Sequence, residues 1–264
     1  MTESAVDFYD ALAPLFDVMT DWGARLATEG PFLRHILDAA GARAVLDVAC
    51  GSGGHALALT RWGYAVTGSD VSQAMIALAQ HKAVAEGSTA RFLVAGLDDA
   101  APVNLAERYD AVLCLGNSLP HLLSQEDLTA ALRQMAGVLQ PGGVLVLQNL
   151  NYDLRWRTRP RFFAAQGGTL EGQEVLVWRF ADYDDASGQI AFHIALFRQG
   201  EGRDWRVQVH TTPQRPLFRA DLLAALAAAG FTDVRSYGRL ALPADPFDEN
   251  HSPDLVVVAT NTPG

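Results

Sequence analysis

Two kinds of hydrophobic pattern alternate along the chain between residues 44 and 149. Nearly continuous apolar runs of strand length occur at 44–49, 64–70, 90–95, 109–115 and 143–149. Segments whose apolar residues have helical spacing lie among them, at 54–61, 72–85 and 125–139. Such unbroken apolar strands are typical of a parallel sheet that helices cover on both faces. The pattern predicts an α/β protein with a doubly wound, Rossmann-like sheet.

The pattern changes after Asn149. Apolar and polar positions now alternate with a period of two, which predicts an inserted antiparallel β meander at 174–183, 189–199 and 204–212. A helix at 219–229 and two strands at 231–237 and 254–260 follow. No helix separates these last two strands, so we expect them to pair antiparallel. The expected sheet has seven strands, mostly parallel, with one antiparallel edge strand.

Helical spacing of apolar residues also marks residues 5–40, before the first strand. The chain therefore divides into four predicted parts. They are an N-terminal helical cap at 1–43, a Rossmann-like core at 44–150, the inserted meander at 151–216 and the C-terminal part of the core sheet at 217–264.

Composition and charge narrow the possible partners. The chain has 264 residues, of which 49% are hydrophobic, and a formal net charge of −10, which argues against a nucleic-acid surface. Cys50 and Cys114 stand near the ends of core strands, as small buried thiols do in a reducing compartment. The sequence predicts no signal peptide, no membrane span and, since its histidines lack ligand spacing, no metal site. We expect a cytoplasmic protein with a small-molecule substrate, and the oligomeric state stays open.

A glycine turn follows the first predicted strand. Residues 45–54 read VLDVACGSGG, and the next strand ends at Asp70, roughly 20 residues past the turn, where a ribose-binding acid lies in nucleoside-binding folds. A dinucleotide loop would read G-x-G-x-x-G. An acidic residue leading a shorter turn, with no lysine or arginine beside it, suits a cofactor that carries a sulfonium and an amino-acid end. The alternative is a glycine turn that binds no ligand.

A polar loop follows the strand at 109–115. It contains Gly116, Asn117, Ser118 and His121, and it leaves the sheet beside the glycine turn, at the end where open α/β sheets bind ligands. The amide of Asn117 offers both a donor and an acceptor, although a turn or cap residue is an equal alternative. For His121 a structural role is favoured over proton transfer.

Together these segments resemble class I S-adenosylmethionine-dependent methyltransferases. VLDVACGSGG, SDVSQAMIALA, LGNSLPHLL, LQPGG and the NYD triplet at 151–153 resemble the glycine/sarcosine N-methyltransferases and their bacterial small-molecule relatives. The core at 44–150 would then bind the cofactor, and the meander would cover the acceptor. The resemblance implies that the cofactor is held by Ala49, Gly51, Gly53, Asp70, Val71, Gly96, Leu97 and Leu115.

The resemblance also implies individual roles. Asp70 would hold the ribose hydroxyls, and the carbonyl of Leu115 would lie near the sulfonium. Arg25 would pair with the methionyl carboxylate, with an exposed helix arginine as the alternative. Tyr9 would approach the sulfonium, with a packed amphipathic residue as the alternative. Asn117 and His121 would lie near the acceptor and, with Tyr9, form the predicted catalytic set.

Two positions depart from the pattern of these relatives. Gly96 stands where an acid usually binds the adenine amino group, so Asp98 or a backbone group must substitute. Leu150 stands where an arginine binds the carboxylate of glycine, which makes glycine a doubtful substrate. Arg155, Arg157 or Arg179 could supply that charge. For the arginines at 155–161 as a group, a solvated edge or a local ion-pair cluster is the favoured interpretation.

The sequence thus predicts methyl transfer from S-adenosylmethionine to a small acceptor, most readily an amine nitrogen. A hydroxyl- or carboxylate-directed methyltransferase would share every cofactor feature. A non-catalytic cofactor-binding regulator on the same fold is a further alternative. The missing third-glycine spacing disfavours an NAD-dependent oxidoreductase.

Overall fold

The computed structural model describes residues 3–97, 108–200 and 204–262. Within them the helices are α1 Ala5–Leu12, α2 Trp22–Ala39, α3 Gly54–Arg61, α4 Gln73–Glu86, α5 Gln125–Val138, α6 Tyr152–Thr158 and α7 Arg219–Ala228. The strands are β1 Ala44–Val48, β2 Ala65–Asp70, β3 Arg91–Val94, β4 Tyr109–Cys114, β5 Leu139–Leu150, β6 Gln166–Leu170, β7 Gln173–Asp184, β8 Gln189–Gln199, β9 Trp205–Gln214, β10 Phe231–Tyr237 and β11 Asp254–Asn261.

Seven strands form the main sheet, in the order β10-β11-β5-β4-β1-β2-β3. The pairs among β1 to β5 are parallel, whereas β11 is antiparallel to both β5 and β10. The predicted mostly parallel, Rossmann-like sheet is confirmed. Its reversed strand, β11, lies one place inside the edge, because β10 pairs on its far side.

The sheet is the centre of the hydrophobic core. Val112, Leu113, Leu145 and Val146 are fully buried, and side chains from the two faces of the sheet enter two separate hydrophobic clusters. Cys50 and Cys114 are free thiols, and both are buried. None of the helices in the described part of the chain is long and apolar enough to cross a membrane.

A second sheet contains four antiparallel strands in the order β6-β7-β8-β9. Strands β7, β8 and β9 correspond to the predicted meander, while β6 was not predicted. One face of this sheet packs on α1, where Phe8 and Leu12 join Val175, Val177 and Ile194 in a third hydrophobic cluster. The second sheet is thereby attached to the N-terminal helix.

Two aspartates attach the N-terminal segment, residues 3–21, to the residues that follow the core strands. Asp10 accepts hydrogen bonds from the Ser72 hydroxyl at 2.5 Å and from the Ala74 amide at 3.2 Å. Asp17 accepts from Ser52 at 2.6 Å and pairs with Lys82 at 3.0 Å. The segment therefore lies over the carboxyl edge of the parallel strands, where the glycine turn emerges.

Candidate active site

The glycine turn after β1 is held by left-handed backbone at alternate positions. Ala49, Gly51 and Gly53 have φ of 54°, 54° and 80°. At Gly53, which caps α3, a Cβ would stand only 2.9 Å from Ala79 and Phe92. Ala49 adopts the same conformation with a side chain, at a cost of roughly 1–2 kcal/mol. The turn is therefore built for close backbone approach, and one of its strained positions is not a glycine.

Asp70 ends β2 and locks the turn in place. Its Oδ2 accepts from the Gly51 amide at 2.8 Å, and its Oδ1 accepts from the Ser72 amide at 2.9 Å. Burial raises the pKa of Asp70, and the two amide hydrogen bonds oppose that rise. The carboxylate also lies in the wall of a cavity, where its remaining lone pairs can accept further hydrogen bonds.

This first cavity has a volume of about 280 Å³ and lies between the turn, the loop after β4 and the N-terminal segment. Its walls include most of the predicted site residues, namely Tyr9, Arg25, Ala49, Gly51, Asp70, Val71, Gly96, Leu97, Leu115 and His121. Gly53 is not in this wall and packs against Ala79 and Phe92, so its contact with the cofactor stays a prediction. Asp98, the suggested substitute for an acid at Gly96, lies outside the described residues.

Arg25 belongs to a network that the sequence did not reveal. Its Nε donates to both carboxylate oxygens of Glu29, at 2.9 and 3.1 Å, and His55 Nε2 lies 2.6 Å from the same carboxylate. Burial lowers the pKa of His55, whereas its bond to Glu29 raises it. Glu29 and His55 come from different helices, and together they fix the guanidinium at the cavity wall.

Asp47, in β1, is the acid that leads the glycine turn, and it lies in the wall of the first cavity. Its side chain is buried, and its Oδ2 has no hydrogen-bond partner among the described residues. Burial raises the pKa of Asp47 to about 7, partly opposed by the charge of Arg25. An unpartnered carboxylate oxygen in a cavity wall is suited to receive a donor from a ligand.

Tyr9 and His121 contact each other in the wall of the first cavity. The Tyr9 hydroxyl lies 2.9 Å from His121 Nε2, and their rings meet edge to face. Burial lowers the pKa of His121 to about 4 and raises that of Tyr9. Both side chains are therefore neutral at neutral pH, and the histidine is a weak base. The geometry brings these two predicted residues together.

Asn117 occupies a strained left-handed position, with φ of 69°. Its Nδ2 donates to the Tyr152 hydroxyl at 3.0 Å, and its Oδ1 accepts from the Leu150 amide at 3.0 Å. Tyr152 in turn donates to Gln214 of β9 at 3.1 Å. Asn117 thus fastens the loop to β5 and, through Tyr152, to the second sheet. A direct contact with an acceptor stays a prediction.

A second cavity, of about 370 Å³, lies between the sheet ends and the second sheet. It shares Tyr9, Phe16, Arg25 and Gly116 with the first cavity, and Asn117 lies in its wall. The two cavities therefore meet at these shared residues.

The three arginines suggested as replacements at Leu150 separate in the structure. Arg155 and Arg179 lie in the second cavity, next to Leu150 in its wall. Arg157 points away, donating to Asn250 at 2.8 Å with the Glu249 carboxylate 3.8 Å distant. Arg159 and Arg161 form exposed ion pairs with Asp185 and Asp182, as the ion-pair interpretation predicted.

Comparison with known proteins defines the class. Residues 45–143 match the methyltransferase domain family. The whole-chain fold is shared with an S-adenosylmethionine-dependent methyltransferase from Clostridium acetobutylicum, with a TM-score of 0.76 at 16% identity over 97% of this chain and 98% of that one. Residues 45–143 thus match a methyltransferase domain, and the Clostridium acetobutylicum protein shows that the fold of the chain is shared.

Two of the similar proteins are N-methyltransferases. A glycine/sarcosine N-methyltransferase from Aphanothece halophytica is 34% identical over 148 residues, which are 56% of each protein. A sugar N-methyltransferase from a Streptoalloteichus species is 26% identical, with a TM-score of 0.72 over 90% of this chain and 88% of that one. The chain spans about half the length of the curated relatives it matches.

The walls of the first cavity fit S-adenosylmethionine. The Asp70 carboxylate suits ribose hydroxyls, and the Arg25 guanidinium suits the methionyl carboxylate. The unpartnered Oδ2 of Asp47 lies where it could accept from the methionyl ammonium. Each charged or hydroxyl end of the cofactor thus has a complementary group in the wall.

Proposed function

We propose that this protein transfers a methyl group from S-adenosylmethionine to the amine nitrogen of a small molecule. The observation that carries the proposal is the junction of the two cavities at Tyr9, Arg25 and Gly116. One cavity suits the cofactor, and the other is large enough for an acceptor. The N-methyltransferase relatives favour nitrogen as the acceptor atom. A regulator that only binds the cofactor would have no use for the second cavity.

When bound, S-adenosylmethionine supplies a methyl group whose bond to sulfur breaks, the electron pair staying on sulfur, as the acceptor nitrogen bonds to the carbon. The nitrogen must reach the junction neutral, with a free lone pair, and it releases one proton after the transfer. The task of the protein is alignment, which can be worth roughly 7–11 kcal/mol in the best intramolecular cases.

The residues at the junction orient the reactants with neutral groups. The Tyr9 hydroxyl can donate to neutral His121, which leaves the hydroxyl oxygen free to face positive charge. Because His121 has a pKa of about 4, it does not serve as a strong base, and the methylated nitrogen releases its proton to water once the product has left the junction. The N-terminal segment and the second sheet exclude bulk water from the junction.

Calorimetry and product analysis test the proposal. We expect S-adenosylmethionine to bind and NAD not to bind. We also expect S-adenosylhomocysteine to form with amines in a panel that includes hydroxy acids. Binding of NAD alone would overturn the cofactor assignment. Turnover of the hydroxy acids without any amine would move the reaction to oxygen.

A further inference from the structure

The second sheet has two faces of different use. Its inner face packs on α1 and lines the second cavity, with Ile194 contributing to both. Because successive side chains of a strand point to opposite sides, the neighbours of these inner residues point outward. The antiparallel register aligns these outward residues in two rows across β7, β8 and β9, namely Leu176 with Phe197 and Val207, and Trp178 with Ala195 and Val209. The outer face of the second sheet is therefore apolar as well.

Large side chains of this outer face are open to solvent. On the edge strand β9, Trp205, Val207 and Val209 are 45%, 50% and 52% exposed. Phe162, which stacks on Trp178 with 5.6 Å between the ring centres, is 61% exposed. Since a whole aromatic side chain has roughly 150–250 Å² of surface, the outer face exposes on the order of 500 Å² of apolar area. Monomeric soluble proteins rarely expose a contiguous apolar patch of more than a few hundred Å².

A row of rings gives the outer face a fixed shape. The ring centres of Trp178 and Phe180 are 5.2 Å apart, and Phe180 stacks on His193 with a spacing of 4.5 Å. Trp178 Nε1 donates to the Phe163 carbonyl at 3.1 Å, so the one polar group of the indole is already satisfied within the chain. Aromatic side chains that are held in place in this way lose little entropy on association, and they contribute strongly to binding at protein interfaces.

Charged groups border the outer face and leave its centre uncharged. Asp182 pairs with Arg161 at one end, and Glu174 is exposed at the other. An apolar centre with a polar rim is the usual anatomy of a protein interface. The formal net charge of −10 opposes the approach of two copies of the chain, but Arg161 neutralises Asp182 where the faces would meet. Two such faces can therefore come together without strong repulsion between their centres.

We propose that two copies of this chain associate through the outer faces of their second sheets, about a two-fold axis. A standard interface buries roughly 800 Å² on each partner, about 60% of it apolar, and the outer face supplies an apolar area of that size. A face that packs on its own copy is used up once two chains have met, so assembly ends at a dimer. The second cavity lies against the inner face, so the dimer does not depend on the proposed methyl transfer.

The mass of the wild-type protein in solution tests the dimer without any variant. Sedimentation velocity measures that mass over a range of protein concentrations, from about 1 to 100 µM. We expect twice the mass of one chain, with a dissociation constant of about 1 µM or lower. A protein that stays monomeric over the whole range overturns the proposal, and the outer face would then belong to a different partner.

Charged substitutions on β9 locate the interface. Val207→Asp and Val209→Asp each place a charge in the apolar centre, where the partner offers no opposite charge, and each should weaken dimerisation about a hundredfold. Val84→Asp is the matched control, since Val84 is an 84% exposed valine of α4, outside the second sheet, and its loss should leave the mass unchanged. A native circular dichroism spectrum and a cooperative melt show that each variant is folded. A dimer that both β9 variants retain, or that the control loses, contradicts the proposed interface.

Discussion

Single buried residues govern how the first cavity would recognise its cofactor. Asp47 is the clearest case, because its carboxylate is enclosed, lacks a partner at Oδ2 and has a pKa raised to about 7. In the free protein it therefore holds a proton below a pH of about 7. A ligand ammonium prefers the ionised carboxylate, so binding should expel that proton.

We accordingly expect the affinity for S-adenosylmethionine to rise as the pH increases through about 7, with proton release on binding. Calorimetry in two buffers of different ionisation enthalpy measures both effects. Asp47→Asn should flatten the pH dependence.

Asp254→Asn is the control for this measurement. Its pKa is also raised, to about 6, but it lies in neither cavity wall. Its loss should leave the slope unchanged. A slope that survives Asp47→Asn in full would show that Asp47 does not meet the ammonium.

The residue roles that sequence reasoning missed depend on distant partners. The turn, Asp70 and the polar loop could be predicted because each follows a strand with a clear apolar pattern. Glu29 and His55 are 26 positions apart on two helices, and only the packing of those helices brings them together. Local patterns carry no signal for such a pair.

At the scale of elements, the loop after β4 depends on Asn117 for its attachment. The Asn117 side chain joins β5 and α6, while its backbone is held at a positive φ. These contacts explain the predicted importance of Asn117 by the position that it gives to the loop, and its contact with an acceptor stays a prediction.

Asn117→Ala should lower the free energy of unfolding by about 2 kcal/mol, from two lost hydrogen bonds at roughly 1 kcal/mol each. It should lower turnover more than cofactor affinity, because the loop borders the second cavity. Chemical denaturation and steady-state kinetics measure these effects. Asn117→Gly is the matched comparison, since it removes the same bonds but accepts the positive φ, and it should be less destabilised than Asn117→Ala. Wild-type turnover in Asn117→Ala would contradict the assigned role.

Some elements could be predicted from the hydrophobic pattern of the sequence, and others could not. The parallel strands were predictable because long apolar runs mark burial on both faces. Strand β6 was missed because Gly167 and Gly168 have no side chains to alternate. The side from which Arg155 and Arg157 leave α6 was likewise unpredictable, since it is set by the packing of this short helix against the second sheet.

At the scale of the whole molecule, the N-terminal segment covers part of the first cavity. Tyr9 and Phe16 lie in the cavity wall, and Asp10 and Asp17 hold the segment to the core. We therefore expect the rate of cofactor exchange to depend on how firmly this segment is held.

Asp17→Asn should weaken the pair with Lys82 and raise the dissociation rate of S-adenosylmethionine severalfold, because the closed segment is less firmly held. Stopped-flow displacement by S-adenosylhomocysteine measures the rate. Glu86→Gln breaks an exposed ion pair with Arg61 outside both cavity walls and should leave the rate unchanged. Equal rates in wild type and Asp17→Asn would mean that exchange does not depend on this contact.

The residues common to both cavities have a thermodynamic consequence. Tyr9, Phe16, Arg25 and Gly116 serve two ligands at once, so a shift of any of them caused by one ligand alters the site of the other. Linkage then requires reciprocity: whatever factor the acceptor applies to the affinity for the cofactor, the cofactor applies to the affinity for the acceptor. The shared wall thus gives the two ligands a single coupling free energy, which a titration of either ligand in the presence of the other measures.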